Sequence, residues 1–547
     1  MLKNKFLISK ILIFIFVCLF STIYGQLDYG INYEIKYSNG ELDATDIFEN
    51  YFDINIYYNN LYIYSLLTYK NPSLIGLPTK NIDDIYNILY LEYSNSNMQF
   101  QIGDIFQSYG SGLSMHTYED RIIDYNNAPR GVSMLYYFKD NIDLFATIGT
   151  NTFKTRTNPS ITEPNLFLDN EIFLAGFSYQ ADSYDLHYLS MINNQRINSE
   201  TITNMMSFSN EYGSYLSERF EYIVPPDYNM KVLEHNLGAT FYLDALEMYF
   251  EKSWVFHNKI GDERTFGYKY YFSSYLSISD YSILYEYKNY NTPYYYSVFS
   301  NPPIVFKENS STLISRNLHN VDFSNEVGHH LTVNKTYSNQ INILLSAAFA
   351  FNHLYNENIS QPGFGKILKS FISLTNLNEF EQFQPYRQVY FEFNGWSKND
   401  KLYYKVGIDN YFEFSPGKIV KAKTYPTQFI FKLTKGNSFS AYLEYQKKYL
   451  LHYSPMEVRN SLYFSPSYNH YGKWIVSFFS DFDESKNTSF SIHEEYLGVD
   501  ITYYISGNNI ISFFLGSQKG GLVCANGTCV LQPDFENGFK ITSRIIF

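Results

Sequence analysis

Between residues 103 and 131 the chain gathers the groups best able to do chemistry. Asp104, Glu119, Asp120, Arg121, Asp124 and Arg130 lie among Gly103, Gly110, Gly112 and Gly131. Opposite charges at this spacing suggest charge-assisted pairs in partly enclosed surroundings rather than a solvated run. The glycines permit positive φ and close backbone approach. The segment 108–130 is therefore expected to fold inward and to constrict or plug an interior, with Arg121 and Arg130 each paired to one of Glu119, Asp120 or Asp124. Ser111, Ser114, His116 and Asp120 also supply the side chains of a serine hydrolase. Such residues are common in any polar loop, and closeness in sequence is not triad geometry. No catalytic residue is assigned, and the chain is read as a non-enzyme.

A second mixed-charge segment runs from 301 to 320, where Pro302 and Pro303 stiffen the backbone and Lys307, Glu308, Arg316 and His319 follow. It is a second candidate for the interior, and Glu308 and Arg316 join the expected network. His329, His330 and Glu326 lack the spacing of a known metal site, so neither a metal nor a cofactor is expected. A third segment, 520–529, holds Asn526-Gly527, a strong two-residue hairpin signal. With that turn Ala525 pairs with Thr528, and Cys524 faces Cys529 in a non-hydrogen-bonded pair. Cα atoms in such a pair lie about 4.5 Å apart, within disulfide range. Cys18 is the other cysteine and falls in a secretory leader, so a Cys524–Cys529 disulfide is expected in an oxidising compartment.

The elements that must carry these segments are strands. Residues 1–25 read as a signal peptide: Lys3, Lys5 and Lys10, an apolar run from Ile11 to Phe20, then Ser21 to Gly25 before a mature start at Gln26. No other stretch has the ~18 consecutive apolar residues of a membrane-crossing helix. The chain ends in a period-2 strand in which Phe539, Ile541, Ile545 and Phe547 oppose Lys540, Thr542 and Arg544. Aromatic residues make up 19% of the chain, Tyr above all, as suits a fold with rings at a membrane–water boundary. The net charge of -13, which loss of the leader makes more negative, argues against a nucleic-acid partner.

Alternation and turn residues give about 24 strands, with a range of roughly 20 to 26, in the pattern of a transmembrane barrel. Short turns near Asn59-Asn60, Ser94–Asn97, Lys139–Asn141, Ala181–Ser183, Asp244-Ala245, Ser279-Asp280, Tyr337–Gln340, Lys398–Asp400, Lys435–Asn437, Tyr471–Lys473 and Gly507–Asn509 alternate with longer connections. Those fall at 71–86, 108–130, 154–168, 196–232, 258–265, 292–327, 353–384 and 520–536. The fold class is thus all-β: one antiparallel up-and-down β-barrel over residues 26–547, with short periplasmic turns and long extracellular loops. Along 438–449, Phe439, Ala441, Leu443 and Tyr445 oppose Ser440, Glu444, Gln446 and Lys448. A charge facing lipid near the midplane costs about 2–4 kcal/mol, so charges are expected to be confined to the inner face.

Three stretches carry a family resemblance. They are Gly103-Asp-Ile-Phe-Gln-Ser-Tyr-Gly-Ser-Gly-Leu113 with Thr117–Arg121 and Asn127–Gly131, then Pro302-Pro303 with Leu313–Arg316, then Gly516–Cys524 with Cys529 and Pro533. The chain resembles a family of long outer-membrane barrels of Bacteroidota-like bacteria, a domain of unknown function. The resemblance implies the Gram-negative outer membrane and supplies no activity, substrate or site. The expected partners are outer-membrane lipids and lipopolysaccharide, the barrel-assembly machinery through Phe547, and a solute or polymer cargo. The expected function is a porin-like channel or transport pore with a loop-constricted lumen. The alternative is a structural or adhesion barrel that binds a surface or periplasmic partner through its loops.

Overall fold

The computed structural model describes residues 27–547 except 41–45, 140, 157–160, 199–226, 259–263, 293–296, 308–310, 318, 320, 338–340, 354–384, 416–417, 435, 452–455, 487–490 and 526–527. The leader read at residues 1–25 lies outside the described residues.

Twenty-four strands form one antiparallel sheet in which each pairs with the next. The first, Leu27–Asn39, and the last, Phe535–Ile546, pair from Asn32↔Ile546 to Asn39↔Phe539 and close the sheet into a barrel. Closure leaves no open edge, so each wall strand has a neighbour on both sides. The up-and-down order is interrupted by local elements only. Three pairs of short strands or a hairpin occupy the connections: Ser108–Tyr109 with Met115–His116, Glu119–Asp120 with Tyr125–Asn126, and Gly521–Ala525 with Thr528–Gln532. The expected fold class and strand number are those observed.

Turn chemistry divides the two ends. Asn59, Asp244, Ser279 and Tyr471 take positive φ of 51°, 43°, 51° and 53° in tight turns. Two-residue hairpins need this left-handed backbone to match the strand twist. These turns lie at the end that carries Leu27, which pairs with Tyr58. The long connections, including 105–129 and 292–324, lie at the other end.

The wall alternates as period-2 strands must. In Leu246–Asn258, Glu251, Ser253 and Val255 are buried, while Phe250 and Phe256 are exposed. Register aligns the outward residues into rows. Ile148, Phe173, Ile192 and Leu233 are successive partners across four strands, exposed by 58%, 50%, 46% and 37%. A contiguous apolar surface of this kind is stable only against hydrocarbon or another apolar face.

One expectation needs correction. Charges are not confined to the inner face: Lys252 lies on the outward face between Phe250 and Trp254, and Lys423 and Lys447 are outward as well. Lys252 Nζ sits 4.6 Å from the ring centroids of both Trp254 and Tyr270. Cation–π attraction offsets part of the desolvation there, and the long lysine stem lets the ammonium lean away from hydrocarbon.

Candidate functional site

The connection 105–129 turns on two glycines, Gly110 and Gly112. Gly110 has φ +59°, and a Cβ on it would meet His187 Nε2 at 2.6 Å; Gly112 has φ +87° and would meet the carbonyl of Asn301 at 2.9 Å. Only glycine lets the backbone come this close to the wall and to the second segment. The next residues bond to inward-facing wall groups. The Ser111 N–H donates to Glu251 at 2.7 Å, and its hydroxyl also donates there. Ser114 Oγ donates to Glu234 at 2.6 Å, and Lys269 Nζ donates to the carbonyl of Leu113. Lys269 and Glu234 are themselves 3.1 Å apart and only 1% and 0% exposed.

Further along the same connection, Arg121 forms a two-pronged pair with Asp53. Asp53 belongs to the second wall strand, Asp46–Tyr58, and Lys269 to the twelfth, Arg264–Ile278. The two strands lie nearly half the barrel apart. One connection is therefore bonded to opposite sides of the wall.

The segment around 297–324 locks onto the first. Asn301 N donates to Gly112 O at 3.0 Å, His116 N to Phe299 O at 2.7 Å, and Asn127 Nδ2 to Val298 O at 3.0 Å. Its far part is held by other wall carboxylates. Glu444 accepts from Thr312 N, Leu313 N and Ser311 Oγ, each at 2.7 Å, and satisfies the first donors of the single helical turn Thr312–Ser315. Arg316 pairs with Asp481, and Lys288 Nζ reaches the carbonyl of Ile304 at 2.6 Å. On the last hairpin, Val523 and Val530 pack with Ile75 and Ile123, which joins it to the connections at 71–85 and 105–129.

Asp104, Glu119, Asp120, Arg121, Asp124 and Arg130 line one cavity of about 1200 Å3, together with Lys70, Lys154 and Arg196. The wall is low here. The fifth strand, Met98–Asp104, ends in register with Arg130, and the neighbouring Ile142–Thr155 strand runs past its own last partner of Arg130, Thr150. The cavity consequently reaches residues of both faces.

Within it the expected pairing is met for Arg121 and not for Arg130. Arg121 lies 3.6 Å from Glu119 but takes Asp53 as its main partner. Arg130 pairs with Asp104, 3.0 Å through both Nε and Nη2, and not with Glu119, Asp120 or Asp124. The two are register partners on the face that Ile102 shares. Asp124 takes Lys70 at 2.8 Å and Arg156 at 3.6 Å, and Asp120 accepts from Ile122 N at 2.8 Å. Burial pushes the Glu119 carboxyl up to about 7, with Arg121 opposing. Arg316 lies with Asp481, away from this cavity, and Glu308 is outside the described residues.

The four residues weighed as a hydrolase set do not converge. Ser111 and Ser114 bind different glutamates, His116 Nδ1 contacts Ser108 Oγ at 2.9 Å, and Asp120 caps a turn. His329 and His330 face opposite sides of their strand and contact Tyr285 and Glu286 respectively. The wall partners Asp53, Glu234, Glu251, Lys269, Glu444 and Asp481 were not identified from sequence. Their signal was an acid or base at an inward position of a strand. Which connection each would bind was not written locally.

His319 provides a pH test of the second segment. It lies 2.8 Å from Glu413 and 3.1 Å from Glu326. Burial opposes its charged form, but the two carboxylates outweigh it and push its pKa up to about 9. A histidine raised above its unfolded value of about 6.5 contributes fully below that pH. The contribution is lost as pH rises through about 9. Limited proteolysis of 311–324 is expected to accelerate between pH 7 and 9.5, roughly the span of that loss. His319→Gln should flatten the pH dependence; an unchanged profile in the variant would assign it elsewhere.

The chain belongs to DUF6029, a family of unknown function, which matches residues 7–547. No curated protein matches it in sequence. Among solved structures it is similar to the siderophore receptor PirA from Pseudomonas aeruginosa, with 9% identity, TM-score 0.43, and 95% of this chain and 80% of that one covered. The copper transporter OprC gives 11% identity and TM-score 0.43, covering 96% and 81%. The translocation pore of the P pilus usher PapC gives 9% identity and TM-score 0.40, covering 95% and 99%.

Proposed function

We propose that this member of DUF6029 is an outer-membrane transport pore whose lumen is constricted by the connections 105–129 and 297–324. The observation that carries the reading is the anchoring of the first connection to Asp53 on one side and to Glu234, Glu251 and Lys269 on the other. A mere surface loop has no need of an ion pair to one wall and buried hydrogen bonds to the other. The exposed apolar rows supply the membrane contact. The cavity of about 1200 Å3 has the size and polar lining to receive a hydrophilic cargo at the extracellular end.

The purified barrel should conduct ions in planar bilayers, and deletion of residues 108–130 should raise single-channel conductance several-fold. The Glu234–Lys269 pair keeps its own contact of 3.1 Å in that variant, so the wall should still assemble. Silence in both proteins would favour the structural or adhesion reading.

The Cys524–Cys529 disulfide belongs to the same proposal. The two residues are register partners, as are Ala525 and Thr528; the cysteine side chains and the turn residues lie outside the described residues. A loop this small gives at most about 2–3 kcal/mol by the chain-entropy model. Cys524→Ser with Cys529→Ser should leave assembly intact while making 520–536 sensitive to protease added outside the cell. Two free thiols in the native protein, seen by non-reducing mass spectrometry, would remove the bond from the account.

A further inference from the structure

The outward face of the wall between residues 386 and 486 changes character over three successive rows. The first row is apolar and exposed: Phe391 pairs with Ile408, and Tyr425 with Tyr445 and then Leu462. One step nearer the long connections, the row reads Asn410, Lys423, Lys447, Asn460. The next reads Arg387, Phe412, Lys421, Tyr449. Each step is two residues, or about 7 Å along the strand.

Lys423 and Lys447 are direct register partners on the same face. Directly opposed side chains have Cβ atoms about 5 Å apart, and like charges there are destabilising. Lys421 adds a third ammonium one step away. None of the three lysines makes an ion pair among the described residues. The acid in the same row, Glu484, is engaged by Lys486 at 2.7 Å. Lys421 and Lys447 instead lean over rings, 5.8 Å from Phe412 and 5.3 Å from Tyr449. Several buried bases elsewhere in this acidic chain, Lys269, Lys288, Arg316 and Lys519, take carboxylate partners, whereas the outward Lys252 stands alone between two rings and has no second lysine opposite it. A repelling cluster without a counter-charge, set immediately above an exposed apolar row, is a shape with a missing anion.

We propose that Lys421, Lys423 and Lys447 seat the phosphate headgroup of an anionic membrane lipid whose acyl chains lie on the row of Tyr425, Tyr445 and Leu462. The apolar row and the cations lie about one headgroup apart along the strand, which a free anion does not require. Asn410 and Asn460 flank the cations and offer amide donors. The inference rests on the membrane setting proposed above but not on transport, because these side chains are outside the lumen.

The test compares the full barrel with a Lys421→Gln, Lys423→Gln, Lys447→Gln variant. Both are released from nanodiscs of mixed phosphatidylcholine and phosphatidylglycerol, and native mass spectrometry reads the retained lipid. Wild-type protein should retain phosphatidylglycerol selectively. The variant should lose it by roughly a hundredfold, from three lysines near the surface. Equal retention by both proteins, or no selectivity over phosphatidylcholine, would overturn the proposal. Displacement of the lipid by inorganic phosphate at comparable concentration would make this a free-anion site and also overturn it.

A single variant covers the case in which the triple one fails to assemble. Lys423→Gln should raise the thermal midpoint in neutral detergent, where only repulsion is removed, and lower it in phosphatidylglycerol nanodiscs. A shift of the same sign in both media would refute the lipid seat. Conductance is the separate readout of the transport reading and should not change in either variant. A silent pore that still selects phosphatidylglycerol would sink transport alone.

Discussion

Lys269→Met is expected to destabilise the barrel by about 3–5 kcal/mol, the usual penalty for leaving one member of a buried pair without its partner. Glu234 would keep hydrogen bonds from Ser114 at 2.6 Å and Ser253 at 2.5 Å. It would lose the only cation that pairs with it among the described residues, 3.1 Å away, in a position that is 0% exposed. The carbonyl of Leu113 would lose its donor in the same step. Methionine matches the length of the lysine stem, so the loss is electrostatic and not a cavity. The midpoint of heat-modifiable migration in detergent, wild type against variant, reads the change. The double variant Lys269→Met with Glu234→Gln should recover most of it, because no unpaired charge then remains. A single variant within about 1 kcal/mol of wild type would mean that Glu234 reaches water or a proton.

Glu444→Ala should free the segment 311–316 from the wall. Three donors, at 2.7 Å each, lose a charged acceptor where Glu444 is fully buried. Unsatisfied buried donors cost about 1–3 kcal/mol apiece. The segment would then hang on Arg316 with Asp481 and on the Gln446 Nε2 donor to Leu313 O at 2.8 Å. The expected result is a rise in single-channel conductance and rapid cleavage of 311–324 by added protease. The barrel itself should keep its melting behaviour, since Glu444 sits in a strand paired on both sides from Asn437 to Leu450. Glu444→Gln should give a partial effect, because one carbonyl oxygen still accepts. Unchanged conductance and protection in the alanine variant would show that the segment is held by packing around Leu313 and Ile314.

The relation between sequence and structure differs between wall and interior. The Asn59, Asp244 and Ser279 turns and the alternation along 438–449 were legible one strand at a time. A two-residue turn needs left-handed backbone, and a period-2 strand has two faces. Both rules act over a few residues. The pairing of Cys524 with Cys529 followed from the same local rules, given Asn526-Gly527 between them.

The interior obeyed a different constraint. Ser111 meets Glu251 across 140 positions, Arg316 meets Asp481 across 165, and Arg121 meets Asp53 across 68. Charge composition marked 103–131 as a segment that needs partners, yet it suggested acids within the segment itself. Arg130 does take such an acid, its register partner Asp104, but closure of the barrel added what the segment does not contain, by bringing inward-facing acids of distant strands within reach of Arg121 and Ser111. The lysine row on the outer face was hidden for the same reason. Lys421, Lys423 and Lys447 look like three ordinary polar positions until register sets Lys423 opposite Lys447. Local periodicity thus determined that the chain is a barrel with short turns at one end and long connections at the other. Only the closed sheet, which fixes register around its whole circumference, decided which charges meet, because an ion pair depends on distance in space and the alternating pattern encodes only a side.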